Sequence, residues 1–541
     1  MMDARADLVI RGQVLLAAVP GEAERAEAIG IANGRVVSAG AARDVIDGAA
    51  PRARVVDAGA AAVIPGLHDF HVHLVGLARA RVAAVLDDAA DARGVGERLR
   101  AQAAEEPSGW ITGRGWTEAQ LRGWPLSLLE EAVGERPAFV TSHDGHSAWA
   151  SAAARRAAGI SGAAPDPSGG RIERAADGEP TGILRETALD LVAAHVPRLQ
   201  GDPLRPALEA TLAELAGFGI TGASEAGDYT DANGIGADAE LGDSYSTLTD
   251  LGNLVDGRLR LTLGIPVDAL AAAVRRGHRT GQPLAGRRTL RFGWAKEYAD
   301  GALGSGTAAL FVPRTCGDGG SGILRVTGEE LDRLFVTARG GGIGLAIHAI
   351  GDRAAAEVLA AIRRAEARPA GTPNDRVEHA QLVRAEDRSL FSRLGVTASI
   401  QPIHAAADRD LVESCWDGRQ ADTYAWRSLL DVGALLAAGS DAPVESVNPW
   451  LGIFAALHRR LPADGRGDWQ PKQSMTVLEA LHAYTLGSGL AMGAVDEGHL
   501  RIGARADLAV LTIGLDALLA GEFDPAAVRS ELTMVDGSTD R

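Results

Sequence analysis

Two histidines, His71 and His73, stand two positions apart in the apolar segment PGLHDFHVHL (residues 65–74). On a β-strand, side chains at positions i and i+2 lie on the same face, so both imidazoles can reach one metal ion. Imidazole nitrogen is among the ligands that zinc prefers. Asp69 is in phase with the pair and can contact the same centre or orient one of its ligands. With 13 histidines in the chain, the pair alone is weak evidence for a metal site.

Four further side chains that could do chemistry lie in or at the end of other apolar segments. They are Lys296 in GWAKEYADG, His348 in LAIHAIGD, His379 in VEHAQL and Asp441 in AAGSDAP. A single histidine in an apolar segment is most often a buried core residue. Barrel enzymes, however, carry their catalytic groups at the C-terminal ends of their strands. Taken together, the set predicts one shared centre.

Lysine is almost absent from the chain. Of the 54 basic residues, only Lys296 and Lys472 are lysines. Arginine keeps its charge, whereas a buried lysine can lose its proton and become a nucleophile or the precursor of a ligand. Chance retention and a chemical need for lysine at position 296 both stay open at this point. Lys472 lies outside the strand-like segments, in WQPKQSM, and is predicted to lie at the surface.

The segments that must position these residues are of two alternating types. From about residue 200, apolar strand-like segments alternate with segments of helical periodicity, and residues 61–74 add an eighth strand. Apolar strands separated by helices are typical of parallel sheets, and eight such units predict an α/β fold, a (β/α)8 TIM-type barrel. An open doubly wound sheet is the alternative, which the absence of a GxGxxG motif disfavours. The other strand-like segments are 219–227, 259–267, 291–301, 343–352, 375–383, 395–402 and 434–443.

Both chain ends read as short strands and turns. Because chain termini commonly lie close together, we predict a small β-sandwich domain from residues 1–60 and 495–541 and a catalytic barrel over 61–494. Residues 75–202 interrupt the alternation and are interpreted as an insertion after barrel strand 1, which would lie over the catalytic face. A packing subdomain without contact to the chemistry is the alternative. Four tryptophans in the insertion favour an apolar wall for the substrate: Trp110, Trp116, Trp124 and Trp149.

The amino-acid composition limits the classes of partner that the protein can bind. The chain has 541 residues, 46% of them hydrophobic, and a net charge of −17. A protein without a basic field is a poor ligand for nucleic acid or for anionic membranes, so we expect a small-molecule substrate and leave a homo-oligomer open. No segment offers the roughly 18 apolar residues of a membrane span, and the N-terminus lacks a secretory signal, which predicts a cytoplasmic location. Two cysteines, Cys316 and Cys415, are not a disulfide framework.

Nearly the whole chain resembles the amidohydrolase superfamily, and within it the family 3 branch that includes N-substituted formamide deformylase. The matching motifs are PGLHDFHVHL, GRGWTE, HDGHSAWA, PTGILRE, AKEYADGALGSGTAAL, LAIHAIGDRA, RVEHAQL, IQPIH, GSDAPV and GARADLAVL. One departure is visible, because Ser151 follows HSAWA where asparagine is expected. That departure puts one substrate contact in doubt and leaves the metal motifs complete.

The resemblance implies a divalent metal site of one or two ions, most simply zinc, and a base. Its implied ligands are His71, His73, His348, His379 and a carboxylated Lys296, with Asp441 as the catalytic base. The chemistry agrees, because a protonated lysine has three donors and no acceptor and so cannot ligate a cation. Addition of CO2 would turn Lys296 into a carboxylate-like bridging group, which arginine could not become.

Six further residues are predicted to support the reaction. Asp69, Asp352 and Glu378 are expected to orient ligands from behind, and His146, Trp116 and Gln401 to contact the substrate. The predicted function is hydrolysis of a C–N amide-type bond of a small molecule, such as an N-substituted formamide or another N-acyl amine. Alternatives are hydrolysis of an ester, lactone or cyclic amidine, an isomerase on the same site, or a scaffold without catalysis.

Overall fold

Eight parallel strands form the central sheet of the protein in a computed structural model. The model describes residues 5–538 apart from 88, 106–107, 122–126, 198–203, 228–251, 285, 288 and 318. Helices separate most of these strands along the chain, so the predicted TIM-type barrel is confirmed. Numbered in chain order, the barrel strands are β5 (Leu67–Val72), β12 (Ile220–Glu225), β13 (Arg260–Pro266), β14 (Leu290–Tyr298), β15 (Leu345–Ala349), β16 (Arg376–His379), β17 (Thr397–Ile400) and β18 (Leu435–Ala438).

The helices of the barrel follow from sequence periodicity and capping. Helix Asp352–Arg364 buries Ala355, Val358, Leu359 and Ile362, which recur at helical spacing and pack in the barrel core. Helix Gly328–Gly341 begins with a reciprocal capping box between Thr327 and Glu330.

The helices of the whole chain are α1 (Ala42–Gly48), α2 (Leu74–Ala80), α3 (Ala92–Glu105), α4 (Glu118–Leu121), α5 (Leu128–Val133), α6 (Ala152–Ala157), α7 (Ala188–Ala193), α8 (Arg205–Gly217), α9 (Leu270–Arg275), α10 (Gly328–Gly341), α11 (Asp352–Arg364), α12 (Ala385–Leu394), α13 (Pro402–Ala407), α14 (Arg409–Cys415), α15 (Trp426–Asp431), α16 (Pro449–His458), α17 (Val477–Ala483), α18 (Leu486–Ala491) and α19 (Leu515–Ala520). None of the helices in the described ranges is long and apolar enough to cross a membrane.

Strands from both chain ends pair into a second, six-stranded sheet. The C-terminal strands join the N-terminal ones because strand Leu508–Leu511 pairs antiparallel with strand Arg54–Pro65. Side chains of this sheet form an apolar cluster of their own. Arg260 at the start of β13 ties this sheet to the barrel, because its guanidinium pairs with Asp507 and Asp536. The strands of the sheet are β1 (Leu8–Val19), β2 (Glu22–Ala32), β3 (Arg35–Gly40), β4 (Arg54–Pro65), β19 (Leu508–Leu511) and β20 (Ser530–Met534).

A third sheet of six strands lies within the predicted insertion, and we call residues 84–197 the lobe. The lobe has two apolar clusters of its own, separate from the main cluster of the barrel. Its strands are β6 (Ala84–Val85), β7 (Ile111–Trp116), β8 (Ala138–Ser142), β9 (Ser147–Ala150), β10 (Gly170–Arg174) and β11 (Pro180–Glu186).

The barrel closes where its first strand meets its last. Beyond the ends of β5 and β18, Asp441 N donates to His71 O (2.7 Å) and His73 N donates to Ala442 O (2.8 Å). The Asp69 carboxylate accepts from Ser440 N (2.9 Å) at the same junction. This closure seam therefore joins the HxH pair to the loop that carries Asp441.

Candidate metal centre

The HxH pair lies at the C-terminal end of β5, where the strand gives way to helix α2. Burial leaves the His71 ring 1% exposed, and its Nε2 lies 3.3 Å from Asp441 Oδ1. His73 Nε2 lies 3.0 Å from the same oxygen, so one carboxylate oxygen faces both imidazoles. This is the common side that the i, i+2 spacing predicts.

The other two histidines complete a cluster of rings at the mouth of the barrel. The ring centres of His348 and His379, on β15 and β16, are 4.5 Å apart, and His379 lies 5.0 Å from the ring of His71. One ligand atom each from His71, His379 and Asp441 lie within 4.8 Å of one another. His379 and Asp441 have φ angles of 71° and 62°, in the left-handed region that residues other than glycine rarely adopt. Such strain is common where a side chain is held for function.

The chemistry of this donor set fits a divalent metal ion. Among the described residues, the buried His71 Nε2 and His379 Nδ1 make no hydrogen bond. Burial, reinforced by neighbouring cations, lowers the pKa of His348 and of His379 well below the ordinary value. Both rings are therefore neutral at physiological pH, and a neutral imidazole offers the lone pair that a metal needs. Buried nitrogen donors beside a carboxylate are a typical zinc environment.

Lys296 lies on β14 beside this cluster and is 4% exposed. Its Nζ is 4.9 Å from the centre of the Tyr298 ring, and that ring lies 5.3 Å from the ring of His348. The backbone of Gly227 makes room for it, because a Cβ at Gly227 would lie 2.6 Å from Lys296 Cβ. Lysine at this position is thus buried among the predicted ligands, whereas Lys472 lies in a short 3-10 turn and is exposed.

Asp441 is held as an anion by its histidine neighbours. Its Oδ2 lies 3.1 Å from His404 Nε2, and its Oδ1 faces His71 and His73. Burial opposes ionisation, but the electrostatic attraction of the adjacent His71 and the hydrogen bonds with His404 and His73 outweigh burial and hold the pKa of Asp441 well below its ordinary value. The carboxylate can therefore accept a proton, as a general base must.

Two of the three residues predicted to orient ligands, Glu378 and Asp69, contact His71. Glu378 Oε2 is 2.6 Å from His71 Nδ1, and Glu378 also pairs with Arg376 at 2.7 Å. Asp69 accepts from the backbone nitrogens of Ser440 and His71, so it holds the closure seam rather than a ring. A carboxylate behind a ligating histidine fixes the tautomer and the ring orientation.

Asp352, the third residue predicted to orient a ligand, is the first residue of helix α11. Its Oδ1 accepts a hydrogen bond from Phe311 N (3.1 Å), so this carboxylate contacts the loop after β14. Its orienting role stays a prediction.

Two of the predicted substrate contacts, His146 and Gln401, lie in different settings. His146 lies in the turn between β8 and β9, its ring centre is 4.9 Å from that of His348, and its Nδ1 is 2.9 Å from Glu186 Oε2. Gln401, directly after β17, is 2% exposed, and its Nε2 donates to Ser399 O (3.3 Å). His146 therefore reaches the site, while Gln401 is buried directly after β17.

Three of the four tryptophans of the insertion, which are predicted to form an apolar wall for the substrate, pack in or against the core of the lobe. Trp116 is 1% exposed, packs in a core cluster of the lobe and donates from Nε1 to Val140 O (2.8 Å). Trp149 is equally buried, Trp110 packs against the other core cluster of the lobe, and Trp124 lies outside the described residues. Large apolar rings are needed here for the lobe's own core. Ser151, the departure from the expected asparagine, caps helix α6 through Ala154 N.

Three residues at the site were not identified from sequence. His404 on α13 faces Asp441, and the motif IQPIH carried that signal. Arg325 and Glu186 meet beside His146, with Arg325 Nη1 3.2 Å from Glu186 Oε2. Arg325 also lies over the Tyr298 ring, 5.0 Å from its centre. It comes from the long loop after β14, where no periodicity indicates which residue will turn back to the site.

Comparison with known proteins agrees with this geometry. A model of the amidohydrolase family matches residues 54–539. YtcJ of Bacillus subtilis (strain 168), whose name assigns it to the amidohydrolases, is 30% identical over 500 residues, which cover 91% of this chain and 92% of that protein. N-substituted formamide deformylase of Arthrobacter pascens is 27% identical over 521 residues, 90% of each chain.

A solved structure shares the fold. The crystal structure of a metal-dependent hydrolase of Pyrococcus horikoshii OT3 matches with a TM-score of 0.73 and 24% identity, and the match covers 99% of this chain and 100% of that one. The barrel, the histidine cluster at its mouth and these similarities together show that the chain belongs to the amidohydrolase family of hydrolases.

Proposed function

We propose that the protein is a metal-dependent hydrolase that cleaves the C–N amide-type bond of a small molecule, an N-substituted formamide or another N-acyl amine. The observation that carries the proposal is the cluster in which His71, His379 and Asp441 present ligand atoms within 4.8 Å of one another. The similarity to N-substituted formamide deformylase supports the amide bond as the target.

The protein's own residues would bind the metal and supply the base. His71, His73, His348, His379 and a carboxylated Lys296 would hold one or two divalent ions, most simply zinc. When bound, such an ion polarises a carbonyl group and lowers the pKa of water to about 7. Asp441 would take the proton of the attacking water and deliver it to the leaving amine.

Residues on the lobe side would orient the substrate. His146 lies beside the His348 ring, and Arg325 and Tyr298 lie next to it. The side chains of His146 and Arg325 are 12% and 18% exposed, so they can be reached from solvent. These polar and charged groups would suit the polar carbonyl and amine of an amide.

Metal content is the first test. Purified native protein should contain between one and two equivalents of a divalent metal, with zinc the dominant element, when measured by elemental analysis. Removal by a chelator should abolish activity, and readdition should restore it. Active protein with a metal content near zero would contradict the proposal.

Substrate class is the second test. A panel of N-formyl and N-acyl amines should include at least one compound that the protein hydrolyses, with release of amine measured directly. Esters, lactones and cyclic amidines in the same panel test the alternative bonds. Turnover confined to those compounds would replace the amide assignment, and no turnover of any compound by metal-loaded protein would favour a scaffold.

A further inference from the structure

A row of alternating acidic and imidazole side chains leads from Asp441 outward. His404 lies between Asp441, with Nε2 3.1 Å from Oδ2, and Glu445, with Nδ1 3.9 Å from Oε1. His143 Nε2 lies 3.5 Å from the same Glu445 oxygen, and its Nδ1 is 2.6 Å from Asp87 Oδ1. Side-chain exposure rises along the row from 7% at Asp441 to 35% at His143, so the row runs from the site toward the surface.

The row crosses from the barrel to the lobe between Glu445 and His143. Glu445 belongs to the loop after β18, four residues beyond Asp441, whereas His143 and Asp87 belong to the lobe. Arg114, on lobe strand β7, lies alongside: its Nη1 is 3.1 Å from Asp87 Oδ2, and its Nη2 donates to Pro443 O. Two lobe residues therefore hold the segment that directly follows Asp441.

The apolar clusters of the lobe are separate from the main cluster of the barrel. The contacts of the row, in contrast, are polar. Burial disfavours a charged ring at His143, but its hydrogen bonds with Asp87 and Glu445 outweigh burial and raise its pKa to about 10. His143 is therefore a cation at neutral pH. Without that cation, the Glu445 carboxylate, which is only 14% exposed, would be left with His404 as its nearest partner and would compete with Asp441 for that ring.

We propose that His143 is a positioning residue, through which the lobe fixes Glu445 and the loop 441–445 and so holds His404 against the base Asp441. The proposal rests on the function proposed above for the role of Asp441. It assigns to the lobe a part in assembling the catalytic face and not only in covering it.

The kinetic test compares His143→Gln with His143→Lys. The glutamine variant should lower kcat about 10-fold while KM and metal content stay within about 2-fold, because the substrate and metal contacts are untouched. The lysine variant should recover most of that loss, since it keeps a cation. His458→Gln is the matched control, because His458 also pairs with a carboxylate, Asp468, at 3.3 Å. A rise in KM alone, or unchanged kcat, would overturn the proposal.

A double-mutant cycle tests whether His143 acts through its partner Glu445. If His143 acts through Glu445, the double variant His143→Gln/Glu445→Gln should lose no more kcat than the more damaged of the two single variants. Losses that add would show that the two residues act independently and would overturn the proposal.

The closing experiment needs no substrate. Hydrogen exchange of metal-free protein should show faster exchange in peptides covering residues 438–446 for His143→Gln than for the unmodified protein or for His458→Gln. In the folded protein, Asp441 N donates to His71 O and Val444 N to Asp441 O (2.9 Å), so exchange at these amides reports whether the loop is held. Unchanged exchange would refute the positioning role even if an amide substrate is found. Faster exchange with no substrate would leave the positioning role standing and refute the proposed function alone.

Discussion

Lys296 is a buried lysine among the predicted metal ligands. It lies 4% exposed beside the predicted ligands His348 and His379, on the strand that faces them. An ammonium group has donors only, so a lysine that serves a metal must be neutral or chemically changed. Addition of CO2 is open to a lysine that loses its proton and closed to the permanently protonated arginine.

Replacing Lys296 with arginine should therefore abolish activity although the formal charge is kept. Lys296→Ala should be partly rescued by short carboxylic acids such as formate or acetate, which can occupy the place of a carbamate. Steady-state rates with and without added acid measure both effects. Full activity of Lys296→Arg would show that Lys296 is neither a bridge nor a ligand, and Lys472→Arg is the control for a surface lysine.

Asp441 gives a separate prediction at the same scale. Asp441→Asn keeps the shape of the side chain but removes the acceptor of the proton, so turnover should fall by at least about 10²-fold, the usual contribution of a general base. Metal content should stay largely intact, because the four histidines remain. Turnover rates and elemental analysis of the same preparation test this prediction. Loss of metal in parallel with loss of rate would show that Asp441 is a metal ligand instead of a base.

Among the elements, the short segment after β12 determines how close two strands can come at the site. Gly227 has φ +97°, and a Cβ there would lie 2.6 Å from Lys296 Cβ. Real Cβ atoms do not approach so closely, so an alanine must push β14 away from the centre. The glycine is thus part of what places Lys296.

Gly227→Ala should lower both metal content and activity more than its loss of stability explains. Gly257→Ala is the matched control, because Gly257 has a similar positive φ of +75° but open space around its Cβ position. Both variants carry the backbone strain of an L-residue at positive φ, about 1–2 kcal/mol. Metal analysis and thermal unfolding of the pair separate strain from collision. Equal metal content in the two variants would remove Gly227 from the site.

At this scale the sequence predicts the barrel well and the lobe poorly. Five of the eight barrel strands, β5, β14, β15, β16 and β18, are largely buried apolar segments that carry a predicted metal ligand or base or end just before one, so β5 with His71 and β16 with His379 could be placed by pattern alone. The residues missed come from elements whose position depends on tertiary packing. Arg325 returns to the site from a loop, and Trp116 is needed for a core that no local pattern indicates.

At the scale of the whole molecule, a disulfide links two distant loops. Cys316, in the loop after β14, is bonded to Cys415 at the end of α14, 99 residues later. Composition alone did not indicate this pairing, because two cysteines so far apart carry no spacing signal. Thr315 reinforces the link by donating from N to Cys415 O (2.9 Å). The bond joins the loop that leads to Arg325 to the helix that follows His404.

Replacing both cysteines with serine should lower the stability of the folded protein by about 2–4 kcal/mol, the usual effect of losing a disulfide that closes a long loop. Calorimetry should show a lower Tm for the double variant, and a reductant should lower the Tm of the unmodified protein in the same direction. The reductant should leave the Tm of the double variant unchanged. Equal Tm values for the oxidised, reduced and substituted proteins would contradict this prediction.

Because the closure seam joins distant parts of the chain, we expect the active site to form late in folding. Asp441 is held by His71 O, and its neighbour Ser440 is held by Asp69, so residues 69–71 and residues 440–441, from opposite ends of the barrel sequence, meet at the seam. Contacts between segments so distant in sequence are slow to form, because a long loop must close first. During refolding, activity should therefore return after helical circular dichroism has recovered, even with metal present throughout. An incomplete barrel, however rich in helix, would lack a placed Asp441, so we expect partly folded copies of the chain to be inactive.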